Sequence, residues 1–570
     1  MKFFPSLRAL SLGLLLVGGS AFAADGAPAT AKSVTQQRPG HAAIASANFL
    51  ATDAGHEVLA KGGNAFDAAI AVAAALSVVE PESSGIGGGF MAVLHRAEDG
   101  RDIFIDARET APAAVDPADY LDADGNPNRD TALKGPLSAG IPGEPAGLVL
   151  LAERYGKLPL RQSLAPAIRI ARDGFKPDAR MRGAIADVEK DLRRWPASAA
   201  KYLPGGKPPA EGAIWRDPDQ ARTLELLAEH GNDGFYHGET AEKLVAAVKA
   251  AGGNWTLDDL AGYQVKERTP ITVDYRGYRI VTAPPPSSGG VAIAEILNIL
   301  SGYDLGKMDA AVRVHYIVEA MRRAFRDHND YLGDPDFVKM PLDMLLSPYY
   351  ADGLRQSILH DKATPSSMLP LAEAPEPGMH TTHFSIIDAD GNMASVTSTV
   401  NYTMGSSFVA AGTGVLLNDE MDDFALVPNK PNAYGLLGSE ANAPAPGKRM
   451  LSSMSPSIVI GADRTAVIGS PGGSTIITQV LEGILHFIDG ESAQQIAAHK
   501  RFHHQYLPDE VMVEDGVFDP ATSAALEKMG YELKPGESWG FMNVVTWDRR
   551  NNKLDAASDP RRPSGLGKVQ

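Results

Sequence analysis

A threonine follows the most abrupt change of character in this chain. Residues 364–379 carry four prolines and no regular apolar period, the composition of an exposed linker. Directly beyond them, Thr381-Thr382-His383-Phe384-Ser385-Ile386-Ile387 and Met393 to Val400 are two β-rich runs. Between them Asp388-Ala389-Asp390-Gly391-Asn392 is a turn signal, so the stretch is predicted to be a hairpin. If Ala389-Asp390-Gly391 form the loop, Asp388 opposes Asn392 and the register places Thr381 opposite Thr399. Period-2 alternation then predicts Asn401 on the face of Thr399. A slip of one residue would separate the trio. A hydroxyl nucleophile needs such neighbours to activate it. The alternative is a solvated strand end whose threonines serve β-propensity.

Other chemical motifs are weaker. Gly536-Glu537-Ser538-Trp539-Gly540 has the letters of a nucleophile elbow, which requires a strand before and a helix after. Pro535 precedes it, Phe541 to Trp547 is predicted as a strand, and no histidine follows Ser538, so the motif is rejected. His499 and His503 have the spacing to share a helix face, with His504 and Glu510 nearby. They are taken as structural, because a zinc site needs three or four ligands with supporting partners. Ser84-Gly85-Ile86-Gly87-Gly88-Gly89 does not fit a dinucleotide fingerprint and precedes a strand, so no nucleotide is assigned to it.

The elements that must position these groups alternate between helix and strand. Helices are predicted near Asp53–Lys61 and Ala65–Glu80, strands at Phe90–His95 and Ile103–Ala107, and helical periodicity from about 145 to 330, interrupted at Pro284-Pro285-Pro286. No fixed-period repeat occurs. The first 23 residues read as a secretory signal: Lys2 and Arg8, the apolar run Ala9–Val17, then Ala21-Phe22-Ala23. Residues 24 to about 40 are expected to be disordered. The 570 residues are 44% hydrophobic, 22% charged and cysteine-free, with a net charge of −17. That composition excludes cysteine nucleophiles and zinc–cysteine sites, and argues for solubility and against nucleic acid as partner. Ala68–Val79 is too short to span a bilayer, so no membrane anchor is expected.

Six segments carry a resemblance: Asp106-Ala107-Arg108-Glu109-Thr110-Ala111-Pro112, Pro285-Pro286-Ser287-Ser288-Gly289-Gly290, Thr381-Thr382-His383-Phe384-Ser385, Asn418-Asp419-Glu420-Met421-Asp422-Asp423-Phe424, Leu451-Ser452-Ser453-Met454-Ser455-Pro456 and Gly469-Ser470-Pro471-Gly472-Gly473-Ser474. In their order and spacing, from about Ala42 to Pro560, they resemble the γ-glutamyltranspeptidases. The resemblance implies an α/β (α+β) fold of the N-terminal-nucleophile hydrolase type, a four-layer αββα sandwich. It implies a precursor that cuts itself between His380 and Thr381. The segments would be a signal peptide (1–23), a large subunit (24–380) and a small catalytic subunit (381–570), paired as a heterodimer. Thr381 would be the nucleophile, supported by Thr399 and Asn401, with Gly472 and Gly473 as the oxyanion hole. Arg108, Ser452 and Ser453 would hold a substrate carboxylate, Glu420 and Asp423 an ammonium, and Tyr434 would sit on a lid over Pro428–Gly438. Substrates would be γ-glutamyl donors such as glutathione, with water or amino-acid acceptors, and no cofactor or metal. Two alternatives stay open: an acylase of glutaryl amides such as cephalosporin precursors, or a non-enzymatic exported binding protein. Either way the product would be exported, periplasmic or secreted.

Overall fold

The computed structural model describes residues 37–369 and 381–570. The signal segment, residues 24–36 and His380 lie outside the described residues. Two antiparallel sheets form the centre of Arg38–Gln570. The first has seven strands in the order β16 (Leu566–Val569), β1 (Ala43–Ser46), β7 (Thr382–Ile387), β8 (Met393–Thr399), β2 (Gly89–Arg96), β3 (Arg101–Ala107) and β4 (Lys266–Arg268). The second has six, in the order β15 (Lys553–Ser558), β14 (Asn543–Asp548), β10 (Arg464–Gly469), β9 (Ser457–Ile460), β6 (Tyr278–Thr282) and β5 (Ile271–Tyr275). A small third sheet joins β11 (Phe502–His503), β12 (Val511–Glu514) and β13 (Leu533–Gly536). Each large sheet therefore mixes strands from before and after Thr381.

The sheets pack face to face through β7, β8, β10 and β14, and helices pack on both of them. Helices Phe49–Ala60, Ala65–Val79 and Glu144–Arg154 cover the first sheet, and Gly289–Leu300, Ile476–Ile488 and Ala493–Ala498 the second. Helix Ala65–Val79 begins at a capping box, Asn64 accepting from the amides of Phe66 and Asp67 while Asp67 accepts from that of Asn64. It is apolar all round and buried along its whole length, as a helix covered on every side must be.

Strand parity divides the core. Phe384, Ile386, Ala394 and Val396 face the helices, whereas His383, Ser385, Ser395 and Thr397 face the second sheet. An unpaired buried hydroxyl costs about 1–3 kcal/mol, a cost that Ser385, Ser395 and Thr397 avoid. Ser385 donates to the carbonyl of Asn543 (3.0 Å) and Ser395 to that of Ile468 (3.1 Å), and His383 bridges Thr397 and Ser385.

Several expectations are corrected. The first helix starts at Phe49, not Asp53, because Asn48 caps it. The 145–330 region contains β4, β5 and β6 just before the proline run. The start of the expected exposed linker is docked in part: Thr364 donates its amide to Glu319 and Ser366 is buried against Tyr506 and Asp509, while Pro365, Ser367 and Met368 are exposed. Residues 38–40, placed in the disordered stretch, are held by an Arg38–Asp390 ion pair and a Gly40–Ala389 hydrogen bond. His499 and His503 do not share a helix, since Ala493–Ala498 ends at His499 and His503 lies in β11.

Candidate active site

The hairpin register is the one expected: Thr382 pairs with Ser398 and Ile387 with Met393, and the amide of Asp388 bonds the carbonyl of Asn392. Gly391 takes the turn at φ 93°. One step beyond the paired strands, the Thr381 and Thr399 hydroxyls lie 3.3 Å apart, both buried. The Asn401 amide donates to Thr399 Oγ1 at 2.7 Å, which leaves the Thr399 proton free to point at Thr381. Asn401 itself does not continue the strand. It turns to φ 75°, and its side chain donates to the Asp419 carbonyl, yet it lines the same cavity as the two threonines. The expected trio is assembled, the third member by a left-handed turn rather than by alternation.

The glycine run 85–89 is explained here. A Cβ on Gly88 would lie 2.0 Å from the Thr399 carbonyl, and one on Gly87 would lie 1.9 Å from that of Leu416. Backbones cross at a distance only glycine permits, and this fixes the end of β8.

The cavity brings together Arg108, Thr381, Thr399, Asn401, Glu420, Asp423, Tyr434, Ser452, Ser453 and Gly473. Gly472 is not among its lining residues. Arg108 is buried, 2.5 Å from Glu420, 2.5 Å from Asp423 and 3.6 Å from Glu109. The residue expected for a substrate carboxylate thus pairs with those expected for an ammonium. Three carboxylates share one guanidinium in a buried site. Burial raises Glu420 and Glu109 to about 8 and Asp423 well above the carboxylate range, with Arg108 opposing the rise. A zwitterion offers the complementary pair of charges.

The loop Ser452–Met454 is cradled by the Pro285–Gly290 motif. Ser452 donates its amide to Pro286, and its carbonyl accepts from Ser287 and Ser288. Gly472 and Gly473 adopt φ 136° and 55° immediately before helix Ile476–Ile488, where amides lack intrahelical acceptors. Segment 428–438 lies over the cavity. Tyr434 is buried, donates to the Asn401 carbonyl at 3.1 Å and packs on Tyr402 at 4.7 Å between ring centroids.

His328, Asn432 and Asn442 also line the cavity and were missed in the sequence. His328 sits in the amphipathic helix Ala310–Tyr331, where nothing in the pattern singles it out. Burial lowers it to about 4, its Nδ1 meets Asn329, and its Nε2 has no protein partner. His503 and His504 are structural, as expected: His503 bridges Thr478 and Gln505, and His504 accepts from the Tyr506 amide. Ser538 is exposed, with β13 before it and no helix directly after it.

The chain is 44% identical to a glutathione hydrolase proenzyme of Pseudomonas sp. (strain A14), covering 92% of this chain and 93% of that protein. It is 42% identical to one from Escherichia coli (strain K12), covering 97% of each. Among solved structures, a cephalosporin acylase from Bacillus halodurans matches with TM-score 0.81 at 30% identity, covering 93% of this chain and 95% of that one. Helicobacter pylori gamma-glutamyltranspeptidase matches with TM-score 0.55 at 38% identity, covering 56% of this chain and 93% of that one. With residues 51–569 matching the gamma-glutamyltranspeptidase family, the chain belongs to that family.

Proposed function

We propose that the protein is an exported, self-processing γ-glutamyltranspeptidase and glutathione hydrolase with Thr381 as its nucleophile. The observation that carries this reading is the Thr381–Thr399 hydroxyl contact inside the cavity that holds Arg108, Glu420 and Asp423. In processing, Thr381 Oγ attacks the His380 carbonyl carbon, the acyl group moves from nitrogen to oxygen, and water hydrolyses the ester. The products are a large subunit (24–380, once the signal segment 1–23 is removed) and a small one (381–570). The freed α-amine, with a reference pKa near ~7.7–8.0, takes the hydroxyl proton at neutral pH.

In turnover, Thr381 Oγ attacks the γ-carbonyl, the amine leaves with a proton, and a γ-glutamyl ester remains for water or an amino-acid acceptor. Thr399 donates to the nucleophile, and Asn401 fixes Thr399. The Gly472 and Gly473 amides hold the oxyanion, each such donor being worth ~2.7–4 kcal/mol. Arg108 exchanges its internal partners for the substrate α-carboxylate, joined by Ser452 and Ser453, which frees Asp423 and Glu420 for the ammonium. Tyr434 closes the lid. Structural similarity to the cephalosporin acylase keeps a glutaryl amidase as the second reading. Two buried carboxylates with no ammonium to meet disfavour it.

A denaturing gel and N-terminal sequencing test processing: the small band is expected to begin Thr-Thr-His-Phe, and Thr381→Ala to stay uncut. Any other start overturns the assignment. A single uncut wild-type chain would favour a binding protein. γ-Glutamyl-p-nitroanilide should be cleaved far faster than glutaryl-p-nitroanilide, and the reverse order would favour the acylase.

A further inference from the structure

Among the described residues, one set of three histidine or carboxylate side chains brings its ligand atoms within 4.8 Å of one another: His486, Glu491 and His499. It lies at the C-terminal end of helix Ile476–Ile488, whose N-terminal end follows the Gly472-Gly473 loop. Thirteen residues at 1.5 Å each separate the two ends by roughly 20 Å. We infer that these three residues form a binding site for a divalent metal ion of the zinc type, distinct from the γ-glutamyl site.

The local chain builds the site. His486 is in the last turn of its helix, Glu491 follows the Asp489-Gly490 turn, and His499 caps the end of Ala493–Ala498. Gly490, at φ 101°, reverses the chain so that Glu491 returns to His486, with Oε1 3.0 Å from Nδ1. The two imidazoles lie face to face with centroids 3.4 Å apart and planes 28° from parallel. His499 Nδ1 is 2.7 Å from the Lys500 carbonyl, which can only accept, so that nitrogen carries the proton and Nε2 presents a lone pair. Arg313 is paired with Asp489 at 2.5 Å.

Two imidazoles and a carboxylate are a donor set for zinc, with a fourth position left for water. Zinc–ligand distances of ~2.0–2.2 Å put ligand atoms about 3.3 Å apart, so on binding the ligand atoms, now within 4.8 Å of one another, draw together and the two stacked rings rotate until both lone pairs point at one ion. Magnesium and calcium prefer all-oxygen sites and do not suit these residues. The side chains of His486 and Glu491 are 18% and 28% exposed, which provides an entry path. The ligands span 14 residues, so a bound ion would clip the helix–turn–helix at its open end.

The test is isothermal titration of tag-free, chelator-treated protein with Zn2+ alone. Saturable binding of one ion per protein is expected, with no comparable Mg2+ binding. His486→Asn/His499→Asn should abolish it, and Glu491→Gln, which removes the anionic ligand, should weaken it by at least the ~10–100-fold that losing an outer-shell partner costs. Self-cleavage and γ-glutamyl-p-nitroanilide hydrolysis by the double variant should match the wild type, showing an intact fold. No saturable binding at about 100 µM Zn2+, or binding unchanged in the double variant, overturns the site.

Discussion

Asp423→Asn separates the two substrate readings most sharply. In the structure Asp423 Oδ2 lies 2.5 Å from Arg108, whose other amine is 2.5 Å from Glu420, with Glu109 at 3.6 Å. Neutralising Asp423 leaves the buried guanidinium with two acidic neighbours, so the variant should fold and process. What it loses is a carboxylate for the substrate ammonium. Removing one partner of a buried, hydrogen-bonded charge pair costs ~2–5 kcal/mol, roughly 30- to 5,000-fold in kcat/KM. Glu420 lines the same cavity and, on the proposed reading, would share the ammonium's charge, so the expected loss is at the lower end, roughly 30- to 200-fold. Glutaryl amides carry no ammonium, and their cleavage should be unchanged or faster. The assay compares γ-glutamyl- and glutaryl-p-nitroanilide with processed enzyme, cleavage before Thr381 serving as the folding control. Equal loss on both substrates would refute the role of Asp423, and with it the preference for γ-glutamyl donors.

Three further outcomes follow from the geometry. Thr399→Val removes the acceptor of the Asn401 amide and the donor beside Thr381; kcat should fall ~10- to 100-fold at little-changed KM, stability should drop by about 1–3 kcal/mol, and Thr399→Ser should restore most of both. Glu144 is raised by burial from 4.5 to about 8, so the folded state keeps a proton that the unfolded chain releases. Its stabilisation is full below pH 4.5 and is lost as pH rises toward 8. Glu144→Gln should therefore flatten the decline in chemical-denaturation stability over that window, by on the order of 3 kcal/mol at pH 7, and an unchanged pH profile would contradict the assignment. Gly88→Ala would set a methyl 2.0 Å from the Thr399 carbonyl; self-cleavage should fail or slow at least ~10-fold, since a displacement of about 1 Å at a reacting group costs more than that.

The sequence was most legible where local chemistry and tertiary structure agree. Asp388 to Asn392 encodes its own turn, so the register to Thr399 followed by counting, and the observed pairing is the one counted. Asn401 was placed on the right site for an incomplete reason. Counting assumed a strand that in fact ends at Thr399, and the left-handed turn depends on Asp419, 18 residues away. Arg108, Glu420 and Asp423 were singled out for a ligand only through the family resemblance, since each alone has the pattern of a solvated surface charge, and their pairing with one another arises only when β3 meets the loop at 420–423. His328 was illegible because a buried histidine on an amphipathic helix has the same local pattern as a core residue. The docking of Thr364 and Ser366 was also invisible, since the groups that hold them, Glu319 and Asp509, flank them from distant elements.

The two faces of the hairpin end do different work. Odd-numbered Thr381, His383 and Ser385, with Thr397 and Thr399, face the second sheet and the cavity. Even-numbered Thr382 and Ser398 face the helix layer, and each hydroxyl ends on a buried carboxylate: Thr382 on Glu80 at 2.8 Å, Ser398 on Glu144 at 2.5 Å. Glu80 is in turn paired with Arg562, from the segment leading into β16. Thr382 and Ser398 are themselves a cross-strand pair. The last rung before Thr381 is therefore fixed from behind at both ends, independently of anything in the cavity. Thr381, the residue just before β7, would otherwise fray as chain ends do once it became one. Neither carboxylate approaches the reacting hydroxyls. If the chain is cut before Thr381 as proposed, their contribution is to hold the backbone still at the new chain end, so that Thr381 would remain beside Thr399.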